Sequence, residues 1–82
     1  MNTYRYSFQC ACLVDDQTIT YTIEIKKHSM LYAEDIIAFA DSIENPSVQE
    51  RIADQFHNKF GGSQTITGTH SGVMITTYRG TL

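Results

Sequence analysis

Cys10 and Cys12 are the first residues of this chain whose type and spacing could do chemistry. Two positions apart on a strand, both thiols point to one side. A metal site there would need further ligands, and His28, His57 and His70 are the candidates. The spacing matches no zinc pattern, and the three histidines are scattered along the chain. Both cysteines also continue a run of alternating apolar residues, Tyr4, Tyr6, Phe8, Cys10, Cys12 and Val14. A buried cysteine in apolar surroundings behaves as a small, unreactive hydrophobe. Core packing is the favoured reading, and a metal or redox protein built on Cys10 and Cys12 is kept as an alternative.

Other polar clusters read as chain punctuation. Asp15-Asp16 could attract a cation, but calcium needs about six oxygens, and aspartate is a common turn residue. Gly61-Gly62-Ser63 lacks the lysine and spacing of a phosphate loop and follows a helical pattern instead of preceding one. No nucleophile stands at a recognisable spacing from a base, so the expectation is a protein without catalytic residues or cofactors.

Charge carries more information than any motif. The net charge is −3, which argues against a general nucleic-acid binder. Six acids, Glu34, Asp35, Asp41, Glu44, Glu50 and Asp54, fall in the central segment, opposed there only by Arg51 and Lys59. Glu50 and Asp54 stand four residues apart, a mildly destabilising like-charge pair on one helix face. Arg5, Lys26, Lys27 and Arg79 fall in the flanking segments.

The elements that must position these groups follow from periodicity. Apolar residues sit at even positions from Tyr4 to Val14 and at odd positions from Ile19 to Ile25. A turn at Asp16-Gln17 would pair Val14 with Ile19 and Asp15 with Thr18, putting both sets on one face of a hairpin. The strands are expected at about 4–14 and 18–28. Ala33, Ile36, Ile37, Ala40 and Ile43 then make a helical stripe, with Ser29 near its start. Asn45 as N-cap and Pro46 in the first turn predict a second helix, carrying Val48, Ile52, Ala53, Phe56 and Phe60 and ending at Gly61-Gly62. A last hairpin turning at Ser71-Gly72 would pair His70 with Val73, Gly68 with Ile75 and Ile66 with Thr77. Its inner face would hold Ile66, Gly68, Val73 and Ile75; a bulge at Gly72 would instead shift this register by one and invert one strand.

The order ββααββ in 82 residues predicts one α+β domain: a four-stranded, mostly antiparallel sheet with two helices on one face. No apolar run approaches the roughly 20 residues that span a bilayer, and no signal peptide is evident, so a cytoplasmic protein is expected.

Two functional expectations follow. The first is a small non-enzymatic interaction module. It would bind and inhibit a protein partner, such as a basic nucleic-acid-binding complex, through Glu34, Asp41, Glu44, Glu50 and Asp54. A compact, acidic, motif-poor profile of this size is similar to small phage and mobile-element proteins, including inhibitors of restriction and CRISPR systems. The second is a nucleic-acid binder using the outer sheet face, with Arg5, Lys26, Lys27, Tyr78 and Arg79 in contact. Open edge strands, or the threonine-rich outer face, offer routes to a homodimer.

Overall fold

Alternation of apolar and polar residues gives the strands, and two amphipathic segments between them give helices. The computed structural model describes residues 1–81. The elements are β1 (Asn2–Ala11), β2 (Thr18–Lys27), α1 (Ala33–Ser42), α2 (Gln49–Phe60), β3 (Ser63–His70) and β4 (Val73–Arg79). One antiparallel sheet runs in the order β1-β2-β3-β4. Both helices cover the same face. Ile36 and Ala40 of α1 and Ile52, Ala53, Phe56 and Phe60 of α2 join one core with Cys10, Ile19, Tyr21, Ile23, Ile25 and Ile66. The predicted ββααββ architecture is therefore borne out.

The first hairpin keeps its predicted face but not its register. Cys10, not Val14, stands opposite Ile19, and Ala11 stands opposite Thr18. Residues 12–17 form a wide loop. The Asp16 N–H donates to the Cys12 carbonyl (2.9 Å) and the Cys12 N–H to the Gln17 carbonyl (2.7 Å). The Asp15 carboxylate accepts from the Gln17 N–H at 3.1 Å, which stabilises the loop locally. A displacement of four residues is even, so every apolar side chain stays on the helix side. Only the end changes: Leu13 and Val14 leave the sheet and are 52% and 84% exposed.

The predicted start of α2 is also corrected. Its N-cap is Val48, with no side-chain cap, rather than Asn45. Asn45, whose peptide bond to Pro46 is cis, is used elsewhere. Its Oδ1 accepts the Ala11 N–H at 2.9 Å. Ser47 donates its N–H to the Ala11 carbonyl and accepts the Leu13 N–H, both at 3.0 Å. Segment 45–47 thus pairs with the outer side of the end of β1 instead of capping a helix. Ser29 does not cap α1 either; Tyr32 holds that position without a side-chain bond.

Gly61 ends α2 as predicted, with φ +67° and its N–H donated to the His57 carbonyl at 2.9 Å. Lys27 Nζ donates to the Phe60 carbonyl, placing a cation at the negative end of that helix. The second hairpin has the predicted register throughout, turning on Ser71 (φ 49°) and Gly72 (φ 84°). Val73 and Ile75 fall on the predicted inner side, yet they are 61% and 37% exposed because the helix layer stops short of β4's outer margin. Gly68 lies under the Tyr21 ring, where a Cβ would stand 2.9 Å from two ring carbons.

Candidate functional site

The strongest candidate surface lies where α1 rides over the edge strand β1. Strand parity aims Tyr4, Tyr6, Phe8 and Cys10 at the helix layer. Helical spacing aims Ile36, Ala40 and Ile43 back at them, and Asp41 follows Ala40 on the exposed side. Strand and helix do not close completely. Tyr6, Phe8, Ala40, Asp41 and Asn45 surround a cavity of about 340 Å³. A smaller one of about 120 Å³ continues along the same seam, between Tyr4, Tyr6, Ala33 and Ile37.

The seam has a rigid aromatic wall. The Tyr6 and Phe8 rings are stacked at 6.4 Å between centroids, and Phe8 packs on Phe56 at 5.5 Å and Tyr21 at 5.8 Å. Tyr4 is pinned through its phenol oxygen, which accepts the Leu31 N–H at 2.9 Å and the Asn2 amide at 3.0 Å. Those two donors pull the Tyr4 phenol below its ordinary pKa, the Leu31 bond most strongly. Asp41 is the charged group lining the larger cavity, and it has no ion-pair partner among the described residues. A trough with aromatic walls, the amides of Gln9 and Asn45 and a carboxylate without an ion-pair partner among the described residues fits a lysine or arginine side chain. The aliphatic stem lies on the rings and the cation meets Asp41.

The five acids assigned to partner binding are not one patch. Glu34 and Asp41 lie seven residues apart, two turns along the exposed side of α1. Glu44 is in the inter-helix loop, 3.9 Å from Arg51. Glu50 and Asp54 lie on the opposite flank, over β4: Glu50 beside a cavity shared with His70 and Ile75, Asp54 2.7 Å from Arg79. Glu34, Asp35, Asp41 and Glu50 have no ion-pair partner among the described residues.

The five residues assigned to nucleic acid are divided as well. Arg5, Lys26 and Tyr78 share the outer sheet face, whereas Lys27 and Arg79 turn to the helix side, engaged with the Phe60 carbonyl and Asp54. On the outer face, Arg5 is paired with Glu24 and Lys26 stands 4.0 Å from the same carboxylate. The face is otherwise a field of hydroxyls, with Ser7 and Thr22 bonded at 2.9 Å and Thr67 and Thr76 at 3.3 Å.

Both cysteines are buried, and burial raises the Cys10 thiol above its ordinary pKa, which keeps it protonated. Cys10 Sγ lies 3.6 Å from the Glu44 carbonyl. Among the described residues no three His, Cys, Asp or Glu side chains converge as a metal site would require. His28 is exposed, His57 is half-buried, and His70 bonds to Gln49. No helix is long and apolar enough to cross a membrane among the described residues.

Periodicity missed the aromatic seam because Tyr4, Tyr6 and Phe8 read as ordinary core. The signal available was β1's position at a sheet edge, where a single short helix must cover three large rings. Comparison with known proteins finds no matching family, no matching curated protein and no matching solved structure.

Proposed function

We propose that this protein is a non-enzymatic interaction module that binds a basic protein partner through α1 and the seam between α1 and β1. The carrying observation is the unpaired Asp41 carboxylate at the rim of a cavity walled by Tyr6 and Phe8. Glu34, two turns away, extends the acidic surface, and Ile37, Tyr32 and Met30 add exposed apolar contact, at 41%, 61% and 65% exposure. Acidic side chains beside an aromatic wall suit a partner's lysine or arginine, with the charges setting on-rate and specificity.

A basic surface of this kind is what nucleic-acid-binding machines present, so occupancy would block such a site. That is the inhibitory action proposed here, of the type carried by phages and mobile elements against restriction or CRISPR systems. The test is affinity capture from bacterial lysate with nuclease present, run in parallel with the E34K/D41K variant. A protein retained by the wild-type chain and lost from the variant supports the reading. Equal capture by both, or capture of nucleic acid alone, rejects it.

A further inference from the structure

We infer that β4 is a self-complementary edge through which two copies of this chain join into one continuous eight-stranded sheet. The inference does not depend on the seam at the other edge of the sheet.

The two edges of the sheet differ where β1 ends. At β1, segment 45–47 takes both backbone groups of Ala11, as Asn45 accepts its N–H and Ser47 bonds its carbonyl. At β4 no other segment of the chain covers the strand among the described residues, and one outward group is held from within the strand: the Tyr78 carbonyl accepts from Arg79 Nη1 at 2.8 Å. It contains no proline, no lysine and no bulge, and Arg79 at its end is its one charged residue. Instead it gathers exposed apolar side chains: Val73 at 61%, Met74 at 72%, Ile75 at 37% and Tyr78 at 71%.

Ladder alternation identifies the groups that point outward. The two-residue turn at Ser71-Gly72 makes His70 and Val73 a hydrogen-bonded pair, so Gly68 with Ile75 and Ile66 with Thr77 are hydrogen-bonded too. Met74, Thr76 and Tyr78 therefore direct their N–H and C=O groups away from β3. An antiparallel pairing of β4 with itself, centred on Thr76, sets Thr76 against Thr76 and Met74 against Tyr78 of the second copy. All three outward residues then form hydrogen-bonded pairs, with the Tyr78 carbonyl accepting on its second lone pair beside the Arg79 bond, and a register centred on any other residue leaves at least one of them out.

The side chains agree with that register. On the outer face, each exposed Met74 lies against the second copy's Tyr78, a favourable sulfur–aromatic pair. On the helix side, Arg79 of the second copy lies opposite Val73. Val73 pairs with His70, which shares a cavity with Glu50. That register brings the second copy's Arg79, itself bonded to Asp54 of its own chain, to the side of the cavity lined by Glu50, which has no ion-pair partner among the described residues. Of the Glu50 and Asp54 pair, awkward in a lone helix, Asp54 accepts from Arg79 of its own chain and Glu50 is left facing the Arg79 of the second copy. A foreign strand would need to reproduce both the pairing and the cation; a second copy supplies them by symmetry.

The interface is at the small end for a specific dimer, so association at micromolar concentration is expected. Sedimentation equilibrium tests it, with the wild-type mass rising from one 9.3 kDa chain toward two as concentration increases. T76K places two lysines face to face at the two-fold axis and should weaken association at least tenfold. T76V keeps a β-branched strand residue and should associate like the wild type, which separates loss of pairing from loss of fold. Oxidised T76C should form a covalent dimer, because hydrogen-bonded partners stand about 5.5 Å apart at Cα, within disulfide range. T22C, in the middle of the outer face, should not. A wild-type chain that stays single to roughly millimolar concentration overturns the proposal. So does T76K associating as tightly as wild type, or T22C cross-linking in preference to T76C.

Discussion

His70 Nε2 lies 2.8 Å from Gln49 Oε1, tying the end of β3 to the first residue of α2. The same Gln49 side chain is buried, and its amide nitrogen shares its two hydrogens among the Ile66 carbonyl (3.1 Å), the Ile75 carbonyl (2.9 Å) and Thr77 Oγ1 (3.1 Å). One amide thus fixes the helix start over both β3 and β4, in place of a capping side chain.

Gln49→Ala should cost about 2–3 kcal/mol, because it leaves His70 Nε2 unpaired and removes donors to a partly buried cluster. The measurement is the urea midpoint of the variant against wild type. Gln49→Glu keeps the size but replaces the donating amide with an acceptor, so it should be at least as damaging. A change within about 0.5 kcal/mol for both would show that the network carries no net stability.

Gly68→Ala tests the close approach beneath Tyr21. A methyl group there would stand 2.9 Å from two ring carbons and 3.0 Å from Ile19 Cγ2. Tyr21 is fully buried and cannot swing away. Overpacking of this kind costs about 1–3 kcal/mol. Gly72→Ala meets no neighbour within 4 Å, yet its φ of +84° strains any side chain. It should therefore be destabilised by conformation alone, about 1 kcal/mol. Thermal unfolding of the two variants separates crowding from backbone strain.

These positions show what was legible in the sequence. The alternation of Ile19, Tyr21, Ile23 and Ile25 requires a half-buried strand, and the turn residues Ser71-Gly72 place the second turn, while the choice between a two-residue turn and a bulge at Gly72 is decided by the pairing with β3. The first hairpin's register was not legible, because Leu13 and Val14 continue the apolar alternation although their backbone is drawn to Ser47 instead of β2. Asn45-Pro46 has the composition of a helix start, but Asn45's carboxamide finds Ala11, a contact 34 residues away in sequence. Gln49 and Gln64 are polar residues on apolar faces, and only tertiary partners reveal why they are buried: Gln64 Nε2 donates to the carbonyls of Phe56 and Gly61. The acids were visible one by one, but their division between two flanks depends on which strand each helix covers.

Tyr21 gives a prediction at alkaline pH. Its hydroxyl is buried with no hydrogen-bond partner among the described residues, and burial is the main cause that pushes its pKa from 10.0 to about 12. The folded state therefore holds the neutral phenol more strongly than the unfolded chain does. That preference leaves stability untouched below pH 10 and erodes it as pH rises from 10 toward 12, where only the unfolded chain readily ionises. Tyr21→Phe removes an unsatisfied buried hydroxyl, so at pH 7 it should be neutral or stabilising. Its stability should also fall less steeply across the alkaline range. Urea midpoints of both chains at several pH values check this, and parallel pH profiles would place the ionisation elsewhere.

Asp41 and Phe8 make separable contributions to the seam, and their variants should fail in different ways. Asp41 is exposed and unpaired, so Asp41→Lys should leave folding stability within about 0.5 kcal/mol. Binding of a basic partner should nevertheless fall about tenfold or more, chiefly through slower association, and the loss should shrink as salt rises. Phe8 instead packs on Tyr6, Tyr21 and Phe56, so Phe8→Ala should cost about 2–4 kcal/mol of stability and remove the aromatic wall. Phe8→Leu fills much of the same volume but offers no ring face to a cation. It should fold close to normally and release the partner faster, with an association rate near that of wild type. Surface plasmon resonance on the partner captured by affinity reads both rates. Asp41→Lys and Phe8→Leu each binding like the wild type would move the contact surface away from the seam.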